Sequence, residues 1–503
     1  MTSREEIEAK IITDGDRDGD GDGDANRGEE SREEEKEVRQ KAESEAEAEE
    51  TFELKAHCLC RAHAFAATIP RASLPLAASY CHCTSCRRVT GALYSSVVPW
   101  PDAGAAAIRA SSLRRYGFAA TMAILFCGVC GSTMFAERRG AGAKAEVEGG
   151  GEGEGNHGII RYAVQTGVLV NAAVPRLFTI AHHMFLSDTL DGGASPWLYD
   201  INANINANGE HDDEPPPRLW TGRSAESEEI FPATTTTHLW PTIQPSAVPA
   251  PREIPIRCHC GGVDLVLHSP PSYFATQPRA SLPWFVDPAS NKSLAGFDAC
   301  DSCRLSSGSD VFHWTFVLLR HLGFPSEPES TSDSTSDSEP EPPSPSFPTS
   351  SIELKNAVPS TSTSTSSEAE AEAPRDPRWG TLTFHASSPD VQRYFCGACS
   401  ATVFYAADDR PELVDLAVGL VRPSSSADDD EGGSRAEGLL SWDFGGPAVW
   451  RGDVAGGWRQ GFVEAVEAAA ERWRIGRGYP KNWRRVLKEE AAAAAAAARA
   501  REV

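Results

Sequence analysis

Thirteen cysteines in 503 residues fall into two copies of one series. As thiolates they would bind soft metal ions or act as nucleophiles. The first copy runs Cys58-x-Cys60, then 20 residues, then Cys81-x-Cys83-x-x-Cys86, then 40 residues, then Cys127-x-x-Cys130. The second runs Cys258-x-Cys260, then Asp298-x-Cys300-x-x-Cys303, then Cys396-x-x-Cys399. The surrounding text repeats too: AHCLC with IRCHC, CTSCRRVTG with CDSCRLSSG, and FCGVCGSTMF with FCGACSATVF. An odd cysteine count and the lack of an apolar N-terminal leader argue for metal ligation over a disulfide framework.

Spacing separates two kinds of site. In an extended strand alternate residues share a face, so Cys58 and Cys60, like Cys258 and Cys260, are expected to present both sulfurs to one side. Cys127 and Cys130 follow Phe126 and enclose Gly128, and Cys396 and Cys399 follow Phe395 and enclose Gly397, as a tight metal knuckle would need. Strand pair and knuckle together make a four-cysteine set, which closes a tetrahedral zinc shell at ~2.3 Å per bond and marks a structural site. Cys81, Cys83 and Cys86 have no such fourth partner. Three protein ligands leave zinc an open position for water or a thiol, the mark of a catalytic site. Alternation sends His82 to the opposite face, as a packing or supporting residue. His182, His183 and Asp188 are candidates to line the open position, with core histidines the plainer reading. Asp298 supplies oxygen in place of the first sulfur of the second triplet, a poorer set beside Cys300 and Cys303 for soft thiolate chemistry, and that site is expected to be degenerate.

The elements that must position these residues read as mainly β. Residues 52–55, 159–164, 263–267 and 414–418 alternate or run apolar like strands, whereas 462–466 has helical spacing and residues 491–498 are all alanine. Arg472, Arg474, Arg477, Lys481, Arg484 and Arg485 cluster with Trp473, Tyr479 and Trp483; this reads as packing tryptophans with arginines laid over them, not as a nucleic-acid platform. The formal charge of −25 concentrates in residues 1–50, net −12, and residues 325–376, net −9, leaving −4 on the other 401 residues. Both acidic stretches are poor in apolar residues and are expected to be disordered. Asp18-x-Asp20-x-Asp22-Gly23 with Glu29 fits a calcium-loop pattern, but without flanking amphipathic helices it is assigned to composition. Looping out the 52 residues 325–376 shortens the 92-residue gap between Cys303 and Cys396 to 40, the gap of the first copy. The expected organisation is an acidic tail over 1–50, a first domain over 51–200, a linker over 201–250, a second domain over 251–423 and a helical extension over 424–503. Residues 140–156 read as a variable loop. No apolar run approaches the ~20 residues that cross a bilayer, so no membrane partner and a cytoplasmic location are expected, with the nucleus left open.

The order CxC, CxCxxCRRxTG, FCGxCG resembles the glutathione-dependent formaldehyde-activating enzyme family, also called the CENP-V/GFA family, over most of 51–200 and, with the insertion looped out, 251–423. TGVLVNAA, HHMFLSDTLDGGASPWL and the terminal GRGYPKNWRRV are similar to its two-domain fungal-type members. The resemblance implies two tandem, zinc-stapled, β-tent-like domains. In enzyme members it also implies a second zinc that engages the glutathione thiol and promotes its addition to formaldehyde, a carbon–sulfur lyase chemistry. Carried over position by position, Cys58, Cys60, Cys127 and Cys130 take the structural role in the first domain and Cys258, Cys260, Cys396 and Cys399 in the second. Cys81, Cys83 and Cys86 take the catalytic role, and Asp298 departs from the pattern. The expected function is a zinc enzyme acting on a small thiol such as glutathione and an aldehyde or thiol adduct, with the first domain active. The alternative is a non-catalytic zinc-binding interaction module. No nucleic-acid partner is expected, and protein partners are left open.

Overall fold

The computed structural model describes residues 50–140, 160–199, 201, 215–231, 252–326, 346–361, 376–422 and 433–502. All of the acidic tail but its last residue, with its calcium-loop pattern, nearly all of the 140–156 loop and the most acidic runs of the insertion lie outside the described residues. The chain divides into two compact units. The smaller, Met1–Phe52 with Pro70–Ala72, is described at residues 50–52 and 70–72, where Arg71 pairs with Glu50 at 3.6 Å. The larger, Glu53–Ile69 with Ser73–Val503, holds both cysteine series.

The fold is mainly β. Its first series begins on the hairpin of β1 (Thr51–His57) and β2 (Ala64–Pro70). A sheet follows from β3 (Leu76–Cys81), β4 (Ser95–Pro99), β5 (Arg114–Ala119), β6 (Met122–Phe126), β7 (Thr133–Arg139), β8 (Ile160–Gln165), β9 (Phe178–Met184), β10 (Arg218–Trp220) and β11 (Glu229–Ile230). The second series begins on the hairpin of β12 (Glu253–Arg257) and β13 (Asp264–His268). Its sheet is built from β14 (Ser293–Asp298), β15 (Phe312–Leu318), β17 (Leu382–Ser388), β18 (Val391–Cys396), β19 (Thr402–Ala407), β20 (Leu413–Ala417) and β21 (Leu440–Trp442), while β16 (Leu322–Gly323) joins the hairpin. The orders match: β5-β6-β7-β8-β4-β3-β9 in one half and β17-β18-β19-β20-β15-β14-β21 in the other, with β9 parallel to β3 and β21 parallel to β14. Strand β7 buries five successive residues, Thr133 to Glu137, and β18 buries five of its six. Both are therefore covered on two faces, so burial is continuous along them in place of strict alternation.

The halves meet through reciprocal contacts. Helix α1 (Thr84–Thr90) ends at Gly91 and α2 (Asp301–Ser307) at Gly308, both left-handed with φ near 80°. The Gly419 N–H donates to Gly91 O at 2.9 Å, and the Gly167 N–H donates to Gly308 O at 2.8 Å. A Cβ on Gly308 would meet Thr133 O at 2.6 Å, and one on Gly91 would overlap Thr402 O, so both the dihedral and the close approach require glycine. Such exchange of equivalent contacts is the pattern of a pseudo-two-fold interface.

Regular elements also occur in stretches expected to be linker, insertion or helical extension. Strand β21 lies past residue 423, in the stretch assigned to the helical extension, and pairs with β14; at three residues it is too short to show a period. Strands β10 and β11 are ordered inside the 201–250 linker, and Leu219 pairs with His183 of β9. Helix α3 (Ser351–Ala357) lies inside the insertion expected to be disordered, started by a reciprocal Ser350–Glu353 capping box and anchored by buried Leu354. Helices α4 (Trp458–Gly476) and α5 (Trp483–Glu502) make the helical C-terminus. No helix among the described residues is long and apolar enough to cross a membrane.

Candidate metal centres

The first four-cysteine set converges. Cys60 Sγ lies 3.6 Å from both Cys58 Sγ and Cys127 Sγ, and all four sulfurs, Cys130 included, lie within 4.8 Å of one another. The second set repeats this, with Cys260 Sγ 3.5 Å from Cys258 Sγ and Cys396 Sγ, and Cys399 completing the group. Tetrahedral zinc at ~2.3 Å per bond separates its ligands by ~3.8 Å, so both sets could hold zinc. Backbone donors face the sulfurs as thiolates require: His63 N–H to Cys58 at 3.3 Å, Val263 N–H to Cys258 at 3.2 Å and Cys399 N–H to Cys396 at 3.4 Å. Ser132 Oγ lies 3.2 Å from Cys130 Sγ, and Thr381 Oγ1 lies 3.0 Å from Cys396 Sγ.

The local geometry differs from the expectation that strands carry the first pairs. Strands β1 and β12 end at His57 and Arg257, and Cys58, Cys60, Cys258 and Cys260 sit on the hairpin turns that follow. A left-handed residue, Arg61 (φ 61°) or Gly261 (φ 74°), reverses the chain there. It is this turn, with Cys58 N–H donating to His63 O at 3.0 Å, that gathers the two sulfurs, and not strand alternation.

The first triplet occupies a strand-to-helix corner. Cys81 ends β3, Cys83 caps the N-terminus of α1 and Cys86 lies on its first turn. Cys81 Sγ is 3.4 Å from Cys83 Sγ, the Cys86 N–H donates to Cys83 Sγ at 3.2 Å, and the three sulfurs lie within 4.8 Å of one another. The Cys81 thiol first, then the Cys86 thiol and N–H with the Arg87 charge, hold the Cys83 thiol down to about 3. Arg87 fixes the corner by donating to His82 O at 2.9 Å and Asp188 O at 3.3 Å, while the Asp188 carboxylate accepts from Thr84 N–H at 3.2 Å. His82 is buried and its Nε2 lies 2.9 Å from Nδ1 of buried His183; burial pushes both imidazoles below their ordinary range. His182 is half-buried, and none of His82, His182, His183 and Asp188 joins the three-sulfur group.

Asp298, Cys300 and Cys303 also come together within 4.8 Å, on the matching corner of β14 and α2. The Asp298 carboxylate accepts from Cys300 N–H at 2.8 Å, and burial pushes its carboxyl up. Sequence reasoning missed a fourth participant, Arg393, whose guanidinium N–H donates to Cys303 Sγ at 3.5 Å. The signal was present in the repeat itself, since aligning RYFCGAC with AILFCGVC sets Arg393 against Ile124.

The basic-aromatic stretch is engaged with the protein. Trp473 is buried, Arg477 lies over its ring at 4.2 Å, Arg484 lies over Trp284 at 4.6 Å and Arg474 pairs with Glu471 at 2.7 Å. No curated protein and no solved structure matches this chain. Residues 53–156, the stretch that carries the first four-cysteine set and the first triplet, match the family model described as glutathione-dependent formaldehyde-activating enzyme.

Proposed function

We propose that this chain is a zinc-dependent enzyme of carbon–sulfur lyase type. In this reading Cys81, Cys83 and Cys86 hold the catalytic ion, and a small thiol such as glutathione meets an aldehyde or thiol adduct there. The carrying observation is the convergence of three thiols, with no fourth ligand beside them among the described residues, inside the residues that match the family. Zinc bound to such a set supplies an open, Lewis-acidic position that favours the ionised form of an incoming thiol. The chain's own residues prepare that position. The α1 N-terminus and the Cys86 N–H favour ionised Cys83, Arg87 and Asp188 lock the strand-to-helix corner, and the neutral His82–His183 pair supports the corner without adding charge. An interaction module with the triplet closed by a fourth histidine, cysteine or carboxylate lacks that side chain among the described residues.

The matching strand orders and reciprocal contacts support reading the chain as two tandem β-tent-like domains of CENP-V/GFA type; the converging sulfurs support both four-cysteine sets as closed structural sites, and the three-thiol set inside the matched residues supports the first domain as the active one. The test is thiol–aldehyde adduct formation by the full chain with glutathione and formaldehyde, followed by exchange NMR. Cys83→Ser should lower the rate ~100-fold or more while circular dichroism stays native. A native chain that leaves exchange at its spontaneous rate would end the proposal.

A further inference from the structure

The two halves differ along one row of facing strand residues, and in the second half that row reaches the triplet. In the first half Ile124, Ala136 and Ala163 oppose one another across β6, β7 and β8. The matching register positions across β18, β19 and β20 are Arg393, Tyr405 and Asp415. An apolar row has become a guanidinium, a phenol and a carboxylate in line. Arg393 is 7% exposed, its guanidinium lies 5.1 Å from the Tyr405 ring centre, and it reaches Cys303 Sγ at 3.5 Å. Arg410 lies 5.3 Å from the same ring centre and pairs with Asp415 at 3.0 Å, so Asp415 has its own cation, while Arg393 donates through Nε to Ser387 Oγ at 3.3 Å and turns Nη1 to Cys303. Asp298, standing where the first half has Cys81, already uses one oxygen on the Cys300 N–H.

A metal ion in a buried thiolate cluster provides the positive charge that lets several anionic groups share one site. A guanidinium is charged at every working pH and is the side chain best suited to a buried pairing. Placed against Cys303 it supplies that charge permanently, and a dication brought to the same three ligands would face it across a low-dielectric interior. The donor set points the same way, because one oxygen and two sulfurs hold zinc less well than three sulfurs. We propose that in the second half the Arg393 guanidinium takes the place of the metal ion, so that Asp298, Cys300 and Cys303 form a metal-free cluster. Resting on the zinc reading of the first triplet, the full chain then holds three zinc ions.

The experiment is zinc per folded full-length chain by elemental analysis, on protein purified without chelator. The native chain should hold three ions, Cys303→Ser should still hold three, and Cys83→Ser should hold two. Combining Asp298→Cys with Arg393→Ile, which rebuilds the ligands and the apolar row of the first half, should raise the count to four. A native count of four that falls to three in Cys303→Ser overturns the proposal, and this comparison stands even if the double variant fails to fold. A folded double variant that stays at three also counts against it. A native count of two, unchanged by both serine variants, supports the metal-free second cluster while removing the catalytic reading of the first.

Discussion

A single left-handed residue closes each knuckle, and it is not the glycine between the cysteines. Gly131 (φ 75°) and Ser400 (φ 70°) follow Cys130 and Cys399, and their N–H groups donate to Cys127 O and Cys396 O at 2.9 Å. Spacing drew attention to Gly128 and Gly397 because they lie between ligands, yet neither has a positive φ. Gly128 instead lies against Arg114, whose Cδ would come within 2.9 Å of an added Cβ. The ligand types and partners were legible because chemistry fixes them, whereas the strained dihedral falls on the residue after the second cysteine, the last glycine of FCGVCG but Ser400 in FCGACS, so residue type alone does not mark it. Gly131 also faces Phe395, whose Cγ would come within 2.5 Å of an added Cβ, while Ser400 carries its own side chain and accepts from Thr133 Oγ1 at 2.9 Å. Gly131→Ala should therefore destabilise the chain by about 2 kcal/mol, combining the left-handed cost with the ring contact. Ser400→Ala should cost about 1 kcal/mol, the worth of its hydrogen bond. Urea unfolding midpoints at constant slope measure both, and a Gly131→Ala midpoint equal to the native one would refute the steric argument.

Some elements were legible from their apolar pattern and the shortest were not. The expected strands at 52–55, 159–164, 263–267 and 414–418 correspond to β1, β8, β13 and β20, each long enough to show a burial pattern. Strands β10 and β21, three residues each, are selected by main-chain pairing with β9 and β14, which leaves no period to read. Helix α3 was hidden by its Ser/Thr/Pro-rich surroundings despite its capping box. The C-terminal helices and the packing of their tryptophans under arginines were readable, but the individual partners were not. Helix α5 is held near its start, where Arg485 donates to Phe444 O at 2.9 Å and pairs with Glu471 of α4 at 3.0 Å, while its alanine run is exposed. Arg474 first, then Arg485, holds the Glu471 carboxyl down to about 2. Because the folded value lies below the unfolded one, the stabilisation is fully present above the ordinary carboxylate range and is lost as pH falls toward 2. Glu471→Gln should then cost about 1 kcal/mol at pH 7, a modest figure because the pair is partly solvated, and that difference should shrink steadily in denaturant unfolding series taken from pH 5 downward. A difference that stays constant with pH would mean the carboxylate charge does not hold α5.

At the scale of the whole larger unit, one buried ion pair joins the two halves to the C-terminal helix. Arg459 of α4 donates to Asp310 Oδ1 at 2.7 Å, with both side chains at most 1% exposed, and its other nitrogen donates to Thr166 O and Leu169 O of the first half. The second Asp310 oxygen accepts from Tyr80 at 3.1 Å and from Thr166. Asp310 stands where the repeat of the first half has Leu93, so the duplicated pattern alone would have placed an apolar residue there. The pattern of the first half is thus interrupted here by a carboxylate whose charge pairs with Arg459 of the C-terminal helix. A buried pair of this kind contributes little over an apolar pair of the same size, but removing one partner strands the other charge in the interior. Arg459→Leu should accordingly cost about 3–5 kcal/mol, and adding Asp310→Leu, which restores the residue type of the first half, should recover most of that loss. Urea unfolding of the native chain, both single variants and the double variant closes the cycle. A single Arg459→Leu variant within about 1 kcal/mol of native would mean that Tyr80 and Thr166 alone satisfy Asp310, and that α4 is an appendage to the paired sheets and not their clamp.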